Sequence, residues 1–169
     1  MLPDSLNELF DMTGSDEFPS PGTNDDELAG LTHALIRQST ILRLVGSRFA
    51  RDNDMNHVDF YVLMSVMTAS DQDITVTPGY ISEHLSLSAS TLTSILERLS
   101  DRGLIVRDRD AADKRRIVLY YTEDAARLAV EFYRRLGRTL EPMAQAHRDE
   151  LSQMTNTFNR VAQTLCKNV

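Results

Sequence analysis

A chain of 169 residues with 41% apolar and 25% charged side chains has the composition of an ordinary globular domain, large enough to bury a core of its own. Its single cysteine, Cys166, excludes an internal disulfide, and no apolar run approaches the ~20 residues that a membrane-spanning helix needs. The net charge of −7 argues against a nucleic-acid partner until it is divided along the chain: residues 1–27 hold eight acids and no Lys or Arg, while the remainder holds 18 bases against 17 acids.

Residues 1–24 combine that acidity with Gly14, Pro19, Ser20, Pro21 and Gly22, which is the composition of a flexible arm. Within it, Leu6, Leu9 and Phe10 give residues 5–12 the spacing of a short docking helix. The segment lacks the basic region and long apolar stretch of a signal peptide, so a cytoplasmic protein is expected. A long helix follows from about residue 25 to 51, and residues 25–55 read as a first dimerisation segment. Leu28, Leu31, Leu35, Leu42, Val45 and Phe49 keep a seven-residue rhythm, and Ile36, Ile41 and Leu44 widen the stripe beyond what one neighbour covers. Asn56 caps the next helix, with Asp59 at its third position and Val58, Val62, Leu63, Val66 and Met67 on its core face. Asp71, Gln72 and Asp73 form a turn, and Ile74, Thr75 and Val76 a short strand. Thr77 and Pro78 open another helix, with proline at the first helical position where its missing donor costs nothing. That helix runs to about residue 85, with Tyr80, Ile81 and Leu85 turned inward, and Ser86 and Leu87 make a tight turn.

The stretch from Leu85 to Thr122 is the most informative. Ser88 is a helix cap, and Leu92, Ile95, Leu96 and Leu99 form one apolar stripe. The opposite face carries Ser90, Thr91, Ser94, Glu97, Arg98 and Asp101. Gly103 stands where a helix ends in a left-handed residue. The runs 104–106 and 117–121 are β-branched and aromatic, and the stretch between them is charged from Arg107 to Arg116. From Glu97 to Arg116 there are seven bases against five acids. Helix, tight turn, helix, strand and basic turn are the order of a winged helix-turn-helix, whose second helix enters a major groove. Small hydroxyl side chains permit close approach to base edges, and cations on the wing neutralise phosphates or enter a minor groove.

Thr122, Glu123 and Asp124 cap a helix bearing Ala129, Tyr133, Leu136, Leu140 and Met143, which Pro142 bends or ends. A last helix, about residues 148–167, shows Leu151, Met154, Phe158, Val161 and Leu165 at three-four spacing. The fold class is therefore mainly α with a small three-stranded β-wing. A winged helix-turn-helix spans residues 56–122, between dimerisation helices at 25–55 and 123–169. Three apolar-striped helices beyond the winged motif are economically covered by a second copy. Such a dimer presents two recognition helices to successive major grooves of an inverted repeat.

Residues 73–126 resemble the MarR family of bacterial transcriptional regulators. The resemblance is carried by Leu87-Ser88-Ala89-Ser90-Thr91-Leu92-Thr93, by Leu99 with Arg102-Gly103-Leu104-Ile105, by Asp110 and Asp113-Lys114-Arg115-Arg116, and by Tyr121-Thr122-Glu123. It implies a dimeric regulator of double-stranded DNA, read here as a repressor. Arg115 would be the wing-tip residue on DNA and Asp113 the residue that shapes the tip. Ser88, Ser90, Thr91 and Ser94 are then assigned to the major groove, and Arg98, Lys114 and Arg116 to phosphates. Two positions depart from the family pattern: Ala111 stands where proline is frequent, and Ala125 where glycine is frequent. The first leaves the wing turn less pre-set.

The resemblance also implies an effector pocket for a small aromatic or anionic molecule. By analogy His33 and Arg37 face it from the first helix, and His57 and Tyr61 from the second. Phe60 and Met64 are neighbours on that helix better read as core. His33, His57, His84 and His147 show no metal-ligand spacing, and neither a phosphate loop nor a nucleophile elbow is present. No cofactor, metal site, catalytic residue or membrane partner is expected. A second function class keeps the fold and drops the DNA: a winged-helix protein-interaction module in which the wing acids dominate. Salt separates the two, because duplex binding weakens steeply with ionic strength.

Overall fold

A computed structural model of the chain describes residues 23–72, 74–110 and 113–166, without the side chains of residues 23–26 and Cys166. The expectations for the acidic arm up to residue 22, for Ala111 and for the Cys166 side chain lie outside the described residues. The elements are α1 (Thr23–Asp52), α2 (His57–Ser70), α3 (Pro78–His84), α4 (Ala89–Asp101), β1 (Ile105–Arg109), β2 (Ile117–Tyr121), α5 (Glu123–Ala146), a 3-10 turn (Arg148–Glu150) and α6 (Leu151–Cys166). Two compact units divide between residues 60 and 61, inside α2. That division differs from a partition by role, in which all of α2 belongs to the winged segment.

Three helices stop in the same way. At the end of α1, Met55 N–H donates to Ala50 O (2.9 Å) and Asp54 N–H to Arg51 O (3.1 Å), with Asp54 at φ 53°. At the end of α3, Leu87 N–H donates to Ser82 O (2.9 Å) and Ser86 N–H to Glu83 O (3.1 Å), with Ser86 at φ 51°. At the end of α4, Leu104 N–H donates to Leu99 O and Gly103 N–H to Ser100 O, both at 2.9 Å, with Gly103 at φ 67°. Each is a Schellman end, in which one left-handed residue lets the following amides satisfy the last carbonyls of the helix. Only the third uses glycine, although the ends expected near residues 51 and 85 also fall within one residue of the observed ones.

In the first unit, α1 begins at Thr23, two residues ahead of its expected start. Phe49, Ala50, Met55 and Phe60 are buried, and the rings of Phe49 and Phe60 meet at 5.4 Å between centroids. The upper stripe is uncovered: Leu28, Leu31, Ile36 and Leu44 are all exposed, Leu44 at 59%. Asn56 Oδ1 accepts from Val58 N–H at 2.9 Å and so caps α2.

In the second unit, Val62, Leu63 and Val66 of α2, Ile81 of α3, and Leu92, Ile95, Leu96 and Leu99 of α4 are fully or almost fully buried, as are Leu104, Ile105, Val118 and Leu119. Strands β1 and β2 pair antiparallel, from Ile105 opposite Tyr121 to Arg109 opposite Ile117. Residues 74–76 join this sheet at one point, Leu119 N–H to Val76 O at 2.8 Å. Among the described residues the sheet thus has two full strands and a third segment that contributes one backbone bond.

Pro142 does not end its helix. It lies inside α5, which continues to Ala146, and His147 N–H still donates to Met143 O at 3.1 Å. Proline removes one donor, and the ladder resumes beyond it. Val130, Tyr133, Leu140 and Met143 on α5, and Phe158 and Leu165 on α6, are exposed large apolar residues, Tyr133 at 56% and Phe158 at 51%.

Candidate nucleic-acid interface

The interface begins with how α4 is held. Its cap is Ser88, in extended conformation, whose hydroxyl oxygen accepts from Thr91 N–H at 3.2 Å. The same oxygen lies 3.1 Å from Ser90 Oγ and 2.7 Å from Thr91 Oγ1. Thr93 and Ser94 turn their hydroxyls back onto Ala89 O (2.8 Å) and Ser90 O (3.3 Å). Donating inward leaves the oxygen lone pairs of these two side chains facing outward as acceptors. With four leucine and isoleucine side chains buried on one side, the exposed side is Ser90, Thr91, Thr93, Ser94, Glu97, Arg98 and Asp101. Its N-terminal half is neutral and short, and its acids lie in the C-terminal half. Thr93 was not among the expected contact residues, and it too is exposed on the first two turns of α4.

The wing is shaped by its own acids. Beyond the last strand pair, Asp110 N–H donates to Arg116 O at 2.9 Å, which extends the hairpin by one bond. Arg116 N–H then donates to Asp113 O at 2.9 Å, closing a four-residue turn that begins at Asp113. The Asp113 carboxylate accepts from Arg115 N–H at 3.0 Å, and the Asp110 carboxylate from Asp113 N–H at 3.4 Å. Side-chain acceptors of this kind hold a turn open to solvent by occupying amides that a hairpin leaves unpaired. Lys114 and Arg115 occupy the two central positions of the turn, and Lys114, Arg115 and Arg116 are all exposed. Arg107 and Arg109 on β1 are exposed as well, two cations beyond the expected set.

Helix α4 and the wing are joined through Thr122. Its hydroxyl donates to Gly103 O at 2.7 Å and accepts from Ala125 N–H at 3.3 Å, while its own N–H donates to Leu104 O at 3.1 Å. The exit of α4, the root of the hairpin and the start of α5 therefore share one side chain.

The four effector-pocket candidates lie on the first two helices. His33 is half-buried and Arg37 exposed on α1; His57 is exposed at the start of α2, and Tyr61 is half-buried one turn later. One open concavity of about 640 Å³ runs along α5 beside Arg127, Val130, Arg134 and Arg138, and another of about 550 Å³ lies between residues 74–76 and β2. Neither is lined by His33, Arg37, His57 or Tyr61. Among the described residues no three His, Cys, Asp or Glu side chains gather as a metal site, and no helix is long and apolar enough to cross a membrane.

Residues 53–116, which hold α2, α3, α4, β1 and the wing tip, match the family model described as MarR family. The organic hydroperoxide resistance transcriptional regulator of Bacillus subtilis (strain 168) is 31% identical over 91 residues, 54% of this chain and 61% of that protein. The match therefore spans less than two thirds of that relative. A transcriptional regulator of Thermotoga maritima has the same fold, with a TM-score of 0.63 at 19% identity over 83% of this chain and 96% of that one. A mutant MarR of E. coli complexed with operator DNA superposes with a TM-score of 0.51 at 21% identity, over 87% of this chain and 99% of that one. The turn between α3 and α4, α4 itself and the acid-braced wing all fall within residues 53–116, the stretch that is similar to the MarR family model.

Proposed function

We propose that the protein is a sequence-specific, DNA-binding transcriptional repressor that works as a homodimer on a pseudo-palindromic operator. The observation that carries this reading is the exposed first half of α4, a surface of short hydroxyl side chains with no acid, rigidly capped and set in one motif with a cationic wing tip. Ser88, Ser90, Thr91 and Ser94 approach base edges in the major groove, where their oxygens accept from adenine and cytosine amino groups and the threonine methyl meets thymine. Arg98, Lys114 and Arg116 neutralise phosphates, and Arg115 enters the minor groove. The E. coli neighbour bound to operator DNA supports the same use of the fold.

The homodimer is supported by the apolar residues that α1, α5 and α6 leave exposed. Side chains of this size on three helices lose favourable burial unless a second copy covers them. The protein is read as a cytoplasmic binding protein and not an enzyme. Release from the operator is assigned to a small aromatic or anionic effector that favours one spacing of the two winged lobes over the other. His33, Arg37, His57 and Tyr61 remain the candidates for its contacts. The test is retention on a random-sequence duplex library by wild type and by Arg115→Ala. Wild type should enrich a subset of duplexes and the variant should retain them less; equal retention removes Arg115 from the interface.

A further inference from the structure

Leu87 is the last residue before the cap of α4, and one residue of α3 holds both of its backbone polar groups. Leu87 N–H donates to Ser82 O at 2.9 Å, and the Ser82 hydroxyl donates to Leu87 O at 2.6 Å. The first bond belongs to the Schellman end of α3, and the second is not part of that motif. Leu87 O also lies outside the ladder of α4, which starts with Leu92 N–H to Ser88 O at 2.9 Å. Ser82 and Leu87 are both half-buried, so this carbonyl depends on a protein donor more than a surface carbonyl does. Ser86, in the left-handed region, is thus followed by a residue gripped at two points.

We propose that Ser82 is a positioning residue for sequence recognition: it fixes the direction in which α4 leaves α3 and touches no nucleic acid itself. The proposal rests on the DNA-reading function above and deepens it. The reason it bears on specificity is reach. Ser90, Thr91 and Ser94 carry one or two heavy atoms beyond Cβ and cannot follow a groove that moves away by an ångström. Arg98, Lys114, Arg115 and Arg116 are long and can re-aim at phosphates after the same shift. A loosened turn therefore loses base contacts before it loses phosphate contacts.

The experiment compares wild type, Ser82→Ala and Ser82→Thr on two probes, a duplex selected by wild type from a random library and a scrambled duplex of equal length. Ser82→Ala should bind the selected duplex on the order of tenfold more weakly, about the cost of one mismatched base pair, and the scrambled one as wild type does. Ser82→Thr keeps the hydroxyl and should restore discrimination. Unchanged affinity of Ser82→Ala for the selected duplex, or equal loss on both probes, overturns the proposal. Amide hydrogen exchange in the free protein supplies a readout without DNA: the Leu87 amide should exchange faster in Ser82→Ala, with Ile95 and Leu99 unchanged. If wild type selects no duplex, the DNA-reading function fails. Unaltered Leu87 exchange is instead the failure of the clamp.

Discussion

Thr122 is the side chain whose loss most sharply tests how the winged unit is tied together. Its hydroxyl serves as cap acceptor for Ala125 N–H and as donor to Gly103 O, across 19 residues of sequence. Truncation of a threonine cap to alanine costs about 1 kcal/mol. The lost bond to Gly103 adds about 0.5–1.5 kcal/mol, toward the low end because the site is partly open to water. Thr122→Ala should therefore lower the unfolding free energy by about 2 kcal/mol, the sum of the two effects. Thr122→Ser keeps both bonds and gives up one methyl of a half-buried residue, so it should stay within about 1 kcal/mol of wild type. Urea titration followed by far-ultraviolet circular dichroism, at one fixed protein concentration, measures both variants. A Thr122→Ala protein as stable as wild type, or a Thr122→Ser protein as damaged as Thr122→Ala, would refute the double role of the hydroxyl.

Other consequences are independent of that one. Gly103→Ala meets no atom within 4 Å, so its whole cost is the left-handed backbone, about 1–2 kcal/mol by denaturant titration. If each of two protomers neutralises phosphates through Arg98, Lys114 and Arg116, the slope of log K against log salt should be about −5, and Arg116→Ala should flatten it by about 2. A slope near zero favours the protein-interaction module instead. Substituting Leu44→Lys together with Phe158→Lys places charges on two exposed apolar stripes, and light scattering should shift toward monomer with the helical signal kept. If those variants stay dimeric, the stripes are not where the copies meet.

What the sequence reveals here is what local rules govern. Ser88, Thr77 and Thr122 are legible as caps because capping depends on a hydroxyl and the amide three residues on, and all three accept from that amide. The two faces of α4 follow from periodicity, and the left-handed residue at its end from glycine. The left-handed residues that follow α1 and α3 are hidden by contrast, because Asp54 and Ser86 adopt a conformation that composition assigns to glycine. Ser82 is invisible for a different reason: its hydroxyl looks solvated until the turn brings Leu87 O within reach. The Thr122 bond to Gly103 and the single bond of Val76 to β2 depend on tertiary placement, which no local pattern encodes. His33, Arg37, His57 and Tyr61 rest on analogy alone, because no local pattern marks a residue as an effector contact.

The central claim is that two copies of α4 read one duplex. Selection of fragments from a random-sequence library by the wild-type protein, followed by stoichiometry on the enriched duplex, tests it directly. An inverted repeat with half-site centres about 10 base pairs apart, or a multiple of that turn, bound by two chains, is the predicted result. A single half-site bound by one chain, or no enrichment over the input library, would contradict it.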